Sequence, residues 1–225
     1  PFHAVSNLSK ELFEAGYHSL LEKDVWELKP RQGYFVCRNS SSLIAFRTGD
    51  GDLQASGFKI VGAHTDSPCL KVKPQAALKN NSYVQCGVEI YGGVLLNPWF
   101  DRDLSLAGRV YYKQSDGELS SCLIDFKKAI ASIPSLAIHL DREANDNRSI
   151  DKQKHLAPVL FQESGKAEFD FNALLLNLLL ENYQISDVAK ILSYELSFYD
   201  SQHPALIGLK EEFIARILCS ENGGK

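Results

Sequence analysis

The sequence predicts an α/β protein whose middle stretch is mainly β. Three observations carry this. Val5, Leu8, Leu12 and Ala15 recur at helical spacing and Gly16 supplies a stop, so the chain opens on an amphipathic helix. The apolar run from Phe58 to Ala63, broken only by Lys59, reads as a short buried strand that delivers His64, Asp66 and a Ser67-Pro68 stop. After Pro74 the character shifts to short alternating segments separated by turn residues.

Taken in order, the first helix leads through Trp26 and Leu28 to Pro30. Gly33 to Arg38 and Leu43 to Arg47 read as two strands joined by the polar turn Asn39-Ser40-Ser41-Ser42. Thr48 to Gly57 is a Gly/Asp-rich loop feeding the strand that ends at His64. Tyr83 to Tyr91 alternates loosely and stops at Gly92-Gly93. Leu106 to Lys113 and Leu119 to Phe126 flank an Asp116-Gly117 turn, a hairpin signal. Leu136 to Leu140 is another short apolar strand, and Asp141 to Gln153 is an exposed loop. Phe169 to Asn182 is leucine-dense and long enough for a helix. Ser186 reads as the N-cap of a further helix over Asp187 to Leu192, and Tyr194 to Asp200 as a strand.

A chain of 225 residues suits one large domain or two modest ones. A net charge of −4 and a pI near 5.9 argue against a nucleic-acid polyanion as the main partner. The most apolar run, Phe171 to Leu180, is too short to span a membrane and contains Asn172 and Asn177. No signal peptide opens the chain. Cys37, Cys69, Cys86, Cys122 and Cys219 are odd in number and widely spaced, which favours free thiols in a reducing cytoplasm. Methionine is absent altogether, so the sequence reads as a fragment or as lacking stretches of its parent.

Ligands collect beyond the carboxyl ends of strands in α/β sheets. A histidine placed there, with a carboxylate two residues on, suits a metal ligand whose ring the carboxylate orients. Read locally, the simpler explanation is a satisfied buried histidine beside a turn-forming aspartate, because motifs this short misfire. Asp50 and Asp52 around Gly51 lack the further oxygens of a calcium loop. Gly51, Gly57 and Gly62 make no dinucleotide fingerprint, Gly92-Gly93 has no phosphate-loop continuation, and Ser67 has no nucleophile elbow.

The wider context tips the balance. Gly62-Ala63-His64-Thr65-Asp66-Ser67-Pro68-Cys69-Leu70-Lys71-Val72-Lys73 closely resembles the aspartyl aminopeptidase family. So do Pro1-Phe2-His3-Ala4-Val5, the stretch Arg38 to Phe46, Trp99-Phe100-Asp101-Arg102-Asp103-Leu104 through Val110, and Ile133 to Leu140, all in the family's order. The resemblance runs over about residues 1–214. It implies a zinc-exopeptidase-like α/β catalytic domain, only partly present, interrupted by a β-rich oligomerisation domain. On that mapping residues 1–74 are the first catalytic segment, 75–200 the insertion and 201–225 the start of the return.

The resemblance also implies the chemistry. Two zinc-type ions would share a water, and a glutamate would move its proton to the leaving amine. His64 would ligate one ion, with Asp66 as the carboxylate that supports it. His139 would reach a neighbouring subunit's site and bind the reacting carbonyl there; His155 competes for that role. Substrates would be peptides with N-terminal Asp or Glu, cleaved by a cytoplasmic homo-oligomer of dimers assembling into a dodecamer. Asp101, Arg102 and Asp103 would form a buried ion-pair network. Glu211-Glu212 reads as structural or solvent-facing, at a helix start, because the family's catalytic Glu pair precedes a different motif. The family's bridging Asp, its Glu pair, a later Asp and a C-terminal His have no counterpart here. Two alternatives stand beside the peptidase. One is a truncated noncatalytic module that joins subunits of a full-length partner. The other is a β-rich interaction domain with no enzymatic role.

Overall fold

The computed structural model describes residues 1–51, 56–163 and 169–215. The chain divides into two compact units, one over Pro1–Ser67 and one beginning at Pro68. The fold is mixed α/β.

In the first unit, helix α1 (Phe2–Glu14) is followed by a three-stranded sheet in the order β1-β2-β3. These strands are His18–Leu20, Gly33–Arg38 and Ser42–Arg47. α1 buries Phe2 and Val5, and Gly16, in the left-handed region at φ +82°, turns the chain away. β2 is the central strand, parallel to β1 and antiparallel to β3. Tyr34, Phe35 and Val36 are all buried because side chains on both faces are covered. Cys37 meets Ser9 of α1 (Sγ to Oγ 3.2 Å), while Tyr34 stacks on Phe46 and Phe46 on Trp26. The expected two strands and their turn are therefore present, with Asn39 and Ser40 at positive φ.

The expected strand over Phe58–Ala63 is not formed. Among the described residues nothing pairs with it, and Phe58, Ile60 and Val61 are 77, 85 and 98% exposed. The apolar run gives it a strand's composition, but a strand needs partner hydrogen bonds and a covering layer. Part of the preceding loop, residues 52–55 with Asp52, lies outside the described residues.

The second unit is built on a six-stranded sheet, order β7-β6-β9-β4-β5-β8, antiparallel at every pairing. Its strands are β4 (Cys69–Asn80), β5 (Tyr83–Tyr91), β6 (Leu104–Lys113), β7 (Leu119–Asp125), β8 (Val159–Gln162) and β9 (Lys190–Asp200). Pro74 lies inside β4, where the register against β5 shifts between Val72 and Ala77. A proline cannot donate to the ladder, so it occupies the bulge, and the Tyr194 hydroxyl caps the carbonyls of Lys73 and Pro74 at 3.0 and 2.8 Å. β6 and β9 approach so closely at Gly108 (φ +149°) that a Cβ there would lie 2.0 Å from the Glu195 carbonyl oxygen.

Helix α2 (Phe171–Tyr183) starts where Asp170 accepts from the Asn172 N–H at 2.8 Å and ends at Gln184 in the left-handed region. Phe171, Leu175 and Leu179, at helical spacing, join the core formed by Leu70, Val88, Leu104, Leu106, Ile124, Leu196 and Phe198. A short hairpin, β10 (Ala205–Ile207) with β11 (Phe213–Ala215), follows.

Two further expectations are corrected. The helix over Asp187–Leu192 does not form. Asp187 instead accepts the Ser115 N–H at 2.9 Å across the β6–β7 turn, and Ile191 and Leu192 alternate buried and exposed as the start of β9. Here period-2 burial overrides a plausible cap. Leu136–Leu140 is not a strand either. The Leu140 N–H donates to the Ala137 carbonyl at 2.8 Å, closing a turn, and Leu136 and Leu140 are 62 and 75% exposed.

Candidate active site

The segment carrying His64 belongs to the first unit and is held there in part by a side chain. Thr65 Oγ1 donates to the Ser41 carbonyl at 2.8 Å, hanging the segment on the β2–β3 turn. His64 Nδ1 lies 2.5 Å from the Asp66 carbonyl oxygen and 3.6 Å from Asp66 Oδ1. A carbonyl only accepts, so the proton sits on Nδ1. In the neutral ring Nε2 then carries the free lone pair, on a side chain that is 79% exposed. This is the arrangement a metal-binding imidazole needs: one nitrogen committed to an orienting oxygen, the other presented outward. The structure thus brings His64 and Asp66 together, with Asp66 holding the ring by its backbone carbonyl and its carboxylate close by.

One imidazole fits a zinc ligand but does not make a zinc site, which normally takes three protein ligands. Among the described residues no group of three or more His, Cys, Asp or Glu side chains converges to hold an ion. Cysteine does not help. Cys37, Cys69, Cys86 and Cys122 are free thiols, and burial pushes Cys86 up to about 12 and raises Cys122, so both stay protonated. Cys219 lies outside the described residues.

His139 belongs to the second unit and lies, exposed, in the turn that follows Ala137. Its competitor His155 has one ring nitrogen engaged: Nδ1 accepts the Asp151 N–H at 3.0 Å, which leaves the ring proton on Nε2, and the His155 backbone N–H donates to the Asp151 carbonyl at 2.9 Å. The expected Asp101-Arg102-Asp103 ion-pair network is only partly built. Arg102 meets the buried Asp200 carboxylate at 3.3 Å and the Pro98 carbonyl at 3.3 Å. Asp101, exposed and at φ 60°, turns away and accepts the Ser135 N–H at 2.8 Å. Asp103 contributes its carbonyl, which accepts from Ser201 N and Oγ at 2.8 Å each. Glu211-Glu212 is solvent-facing, as expected, but in the β10–β11 turn rather than at a helix start; Glu212 accepts the Lys210 N–H at 2.9 Å.

Sequence reasoning passed over Ser135 and Arg148. Arg148 stacks its guanidinium 3.9 Å from the Phe100 ring centroid and donates to Asn97 Oδ1 at 3.2 Å and Ser135 Oγ at 3.4 Å. No local pattern marks an arginine in a polar loop as the partner of a segment this far upstream.

Residues 1–218 match the family described as Aminopeptidase I zinc metalloprotease (M18). The chain belongs to the M18 aminopeptidase family. Among curated relatives, a probable M18 family aminopeptidase 2 of Pseudomonas putida (strain GB-1) is 53% identical over 216 residues, 96% of this chain and 50% of that protein. A protein of the same description from Pseudomonas aeruginosa (strain UCBPP-PA14) is 52% identical over the same shares. The chain therefore spans about half the length of the curated M18 relatives it matches. Among solved structures, a chain of the cryo-EM structure of the Ape4 and Nbr1 complex superposes with a TM-score of 0.87 at 38% identity, covering 95% of this chain and 44% of that one. Chaetomium thermophilum mApe1 gives a TM-score of 0.78 at 31% identity, covering 95% of this chain and 50% of that one. The S. cerevesiae mApe1 dodecamer gives 0.74 at 25% identity, covering 95% and 48%. No helix among the described residues is long and apolar enough to cross a membrane.

Proposed function

We propose that this chain works as part of a metal-dependent aminopeptidase that removes N-terminal Asp or Glu from peptides. Family membership supports aminopeptidase chemistry, and the observation that carries the metal reading is the orientation of His64, with Nδ1 engaged by Asp66 and Nε2 presented to solvent. Two zinc ions, when bound, supply a water of lowered pKa and polarise the scissile carbonyl. The chain's own share is one ligand, His64, and its orienting partner, Asp66. The remaining ligands and the proton-transferring glutamate would come from elsewhere in the full-length enzyme, so we expect this chain alone to be inert. Residues 1–74 form the first catalytic segment in this reading. That gives the run Phe58–Ala63, which pairs with nothing among the described residues, a purpose: it is a strand awaiting a sheet. Residues 75–200 form the inserted oligomerisation domain, and 201–225 begin the return. His139 completes a neighbouring subunit's site, where its imidazole donates to the developing oxyanion. Its exposure amid Leu136, Ile138 and Leu140, and the dodecameric state of the S. cerevesiae relative, support a homo-oligomer, which we expect to act in the cytoplasm on the free-thiol reading of the cysteines.

The test is hydrolysis of aspartyl- and glutamyl-p-nitroanilide by the full-length protein, set against alanyl and lysyl analogues. Turnover of the acidic amides, lost on chelation and restored by zinc or manganese, is the expected result. Equal turnover of the alanyl analogue would refute the acidic specificity. Turnover that survives chelation would refute the metal mechanism.

A further inference from the structure

The loop that carries His139 is closed at its base. Its upstream end is fixed in the core: Ile133 is buried, the Asp101 N–H donates to the Ile133 carbonyl at 2.9 Å, and Phe100 bridges Ile133 in parallel. The chain then leaves the core through Pro134 and Ser135 and returns at Arg148. Asp101 holds the departing segment by accepting the Ser135 N–H at 2.8 Å. Arg148 holds the returning segment by stacking on Phe100 and reaching Asn97 and Ser135 Oγ. Both clasps therefore meet on Ser135. Hydrogen bonds from the Ser135 side chain and backbone, and then the nearby Arg148 charge, keep the Asp101 carboxyl below the ordinary carboxylate range.

Between the clasps residues 136–147 form a run of turns with their own internal bonds, including Asp141 N to Ala137 O at 3.2 Å and Asn147 N to Glu143 O at 2.8 Å. A compact surface loop with closed ends and internal packing is a common carrier of functional side chains. Asp101 adopts φ 60°, a conformation unusual outside Gly, Asn and Asp, and in doing so aims its carboxylate at the Ser135 amide.

We propose that Asp101 and Arg148 are positioning residues for His139: they clasp the base of the 135–148 loop and so fix where its imidazole stands. The proposal rests on the reading of His139 given above. Arginine is required because the site uses a planar cation that stacks on one face and donates from two nitrogens, which a lysine ammonium cannot reproduce.

The experiment has two readouts on the same variants, Asp101→Ala, Arg148→Ala and Arg148→Lys, with Arg142→Ala of the same loop as control. Hydrogen exchange over 134–148 in this chain reads the clasp. Steady-state kinetics of the full-length enzyme read its consequence. Exchange of the loop amides should quicken at least tenfold in both alanine variants. Turnover kcat should fall about 10- to 100-fold with KM within about twofold, as a misplaced catalytic group produces. R148K should resemble R148A, and R142A should resemble the parent in both. Should R148A fail to fold, R148K and D101A carry the same test. Unchanged exchange in D101A and R148K overturns the clasp. Faster exchange with unchanged kcat, while His139→Ala loses turnover, overturns the positioning role. Retained turnover in H139A itself overturns the reading of His139, and the proposal falls with it.

Discussion

Tyr199 and Tyr183 both hydrogen-bond to Asp125, the first at its buried carboxylate and the second at its backbone, and replacing each by phenylalanine should give unequal losses. Tyr199 Oη donates to Asp125 Oδ1 at 2.6 Å, and both residues are buried. Burial first, then the bond to Asp125, raises the Tyr199 hydroxyl well above the ordinary phenol range, so it remains a donor at neutral pH. Tyr199→Phe leaves that carboxylate oxygen short of a charge-assisted bond, a loss of about 1.5–3 kcal/mol. In a unit of this size that is a fall in Tm of about 3–12 °C. Tyr183 Oη is hydrogen-bonded only to the Asp125 backbone, accepting its N–H at 2.6 Å and facing its carbonyl at 3.3 Å. Tyr183→Phe therefore removes neutral bonds at a half-buried site, about 0.5–1.5 kcal/mol. Trp99, fully buried in the same unit, reports unfolding by fluorescence in a Trp26→Phe background. A larger cost for Y183F than for Y199F, or a change of less than about 0.5 kcal/mol in Y199F, would refute this assignment of the two bonds. The pH dependence follows in sign. A folded value raised above the unfolded one, near 10, gives stability present below that pH and lost as pH rises through the folded value. Melting temperatures of the parent should drop between about pH 10 and 11, and that component should vanish in Y199F.

Other outcomes follow from the same geometry. In the full-length enzyme His64→Ala should cost more activity than the roughly 10- to 100-fold expected when only an orienting partner is removed, while Asp66→Ala should fall within that range, since its backbone carbonyl still holds the ring; paired kcat and metal-content measurements decide it. Gly108→Ala should lower the melting temperature of the second unit by several degrees, because β6 and β9 must part to admit the Cβ, and circular dichroism melts test this. Asp101 has a lowered folded value, so its hold on Ser135 is present above about pH 3.9 and lost as pH falls through that folded value; loop exchange, corrected for intrinsic rates, should quicken there. Phe58→Asp should change the stability of this chain by less than about 0.5 kcal/mol while lowering that of the full-length enzyme, as denaturant titrations of the two would show.

Local periodicity and turn chemistry made most elements of this chain legible. Val5 to Gly16, the strands over 33–47, Tyr83–Tyr91, the Asp116-Gly117 hairpin and the leucine-dense helix all follow from patterns that short-range sterics and one-sided burial impose. The sequence also singled out His64 beside Asp66, two residues apart, and the bend at Thr65 lets the ring meet the Asp66 carbonyl. What it could not decide was whether an apolar run has something to pair with. Phe58–Ala63 and Leu136–Leu140 have the composition of strands and find no strand partner among the described residues, whereas Lys190–Leu192, expected as the end of a helix over Asp187–Leu192, became a strand because β6 lies beside it. Pairing, and the closing of a loop by Arg148 on Ser135, depend on groups far apart along the chain. Only the tertiary structure brings those groups within the few ångströms over which hydrogen bonds and packing act.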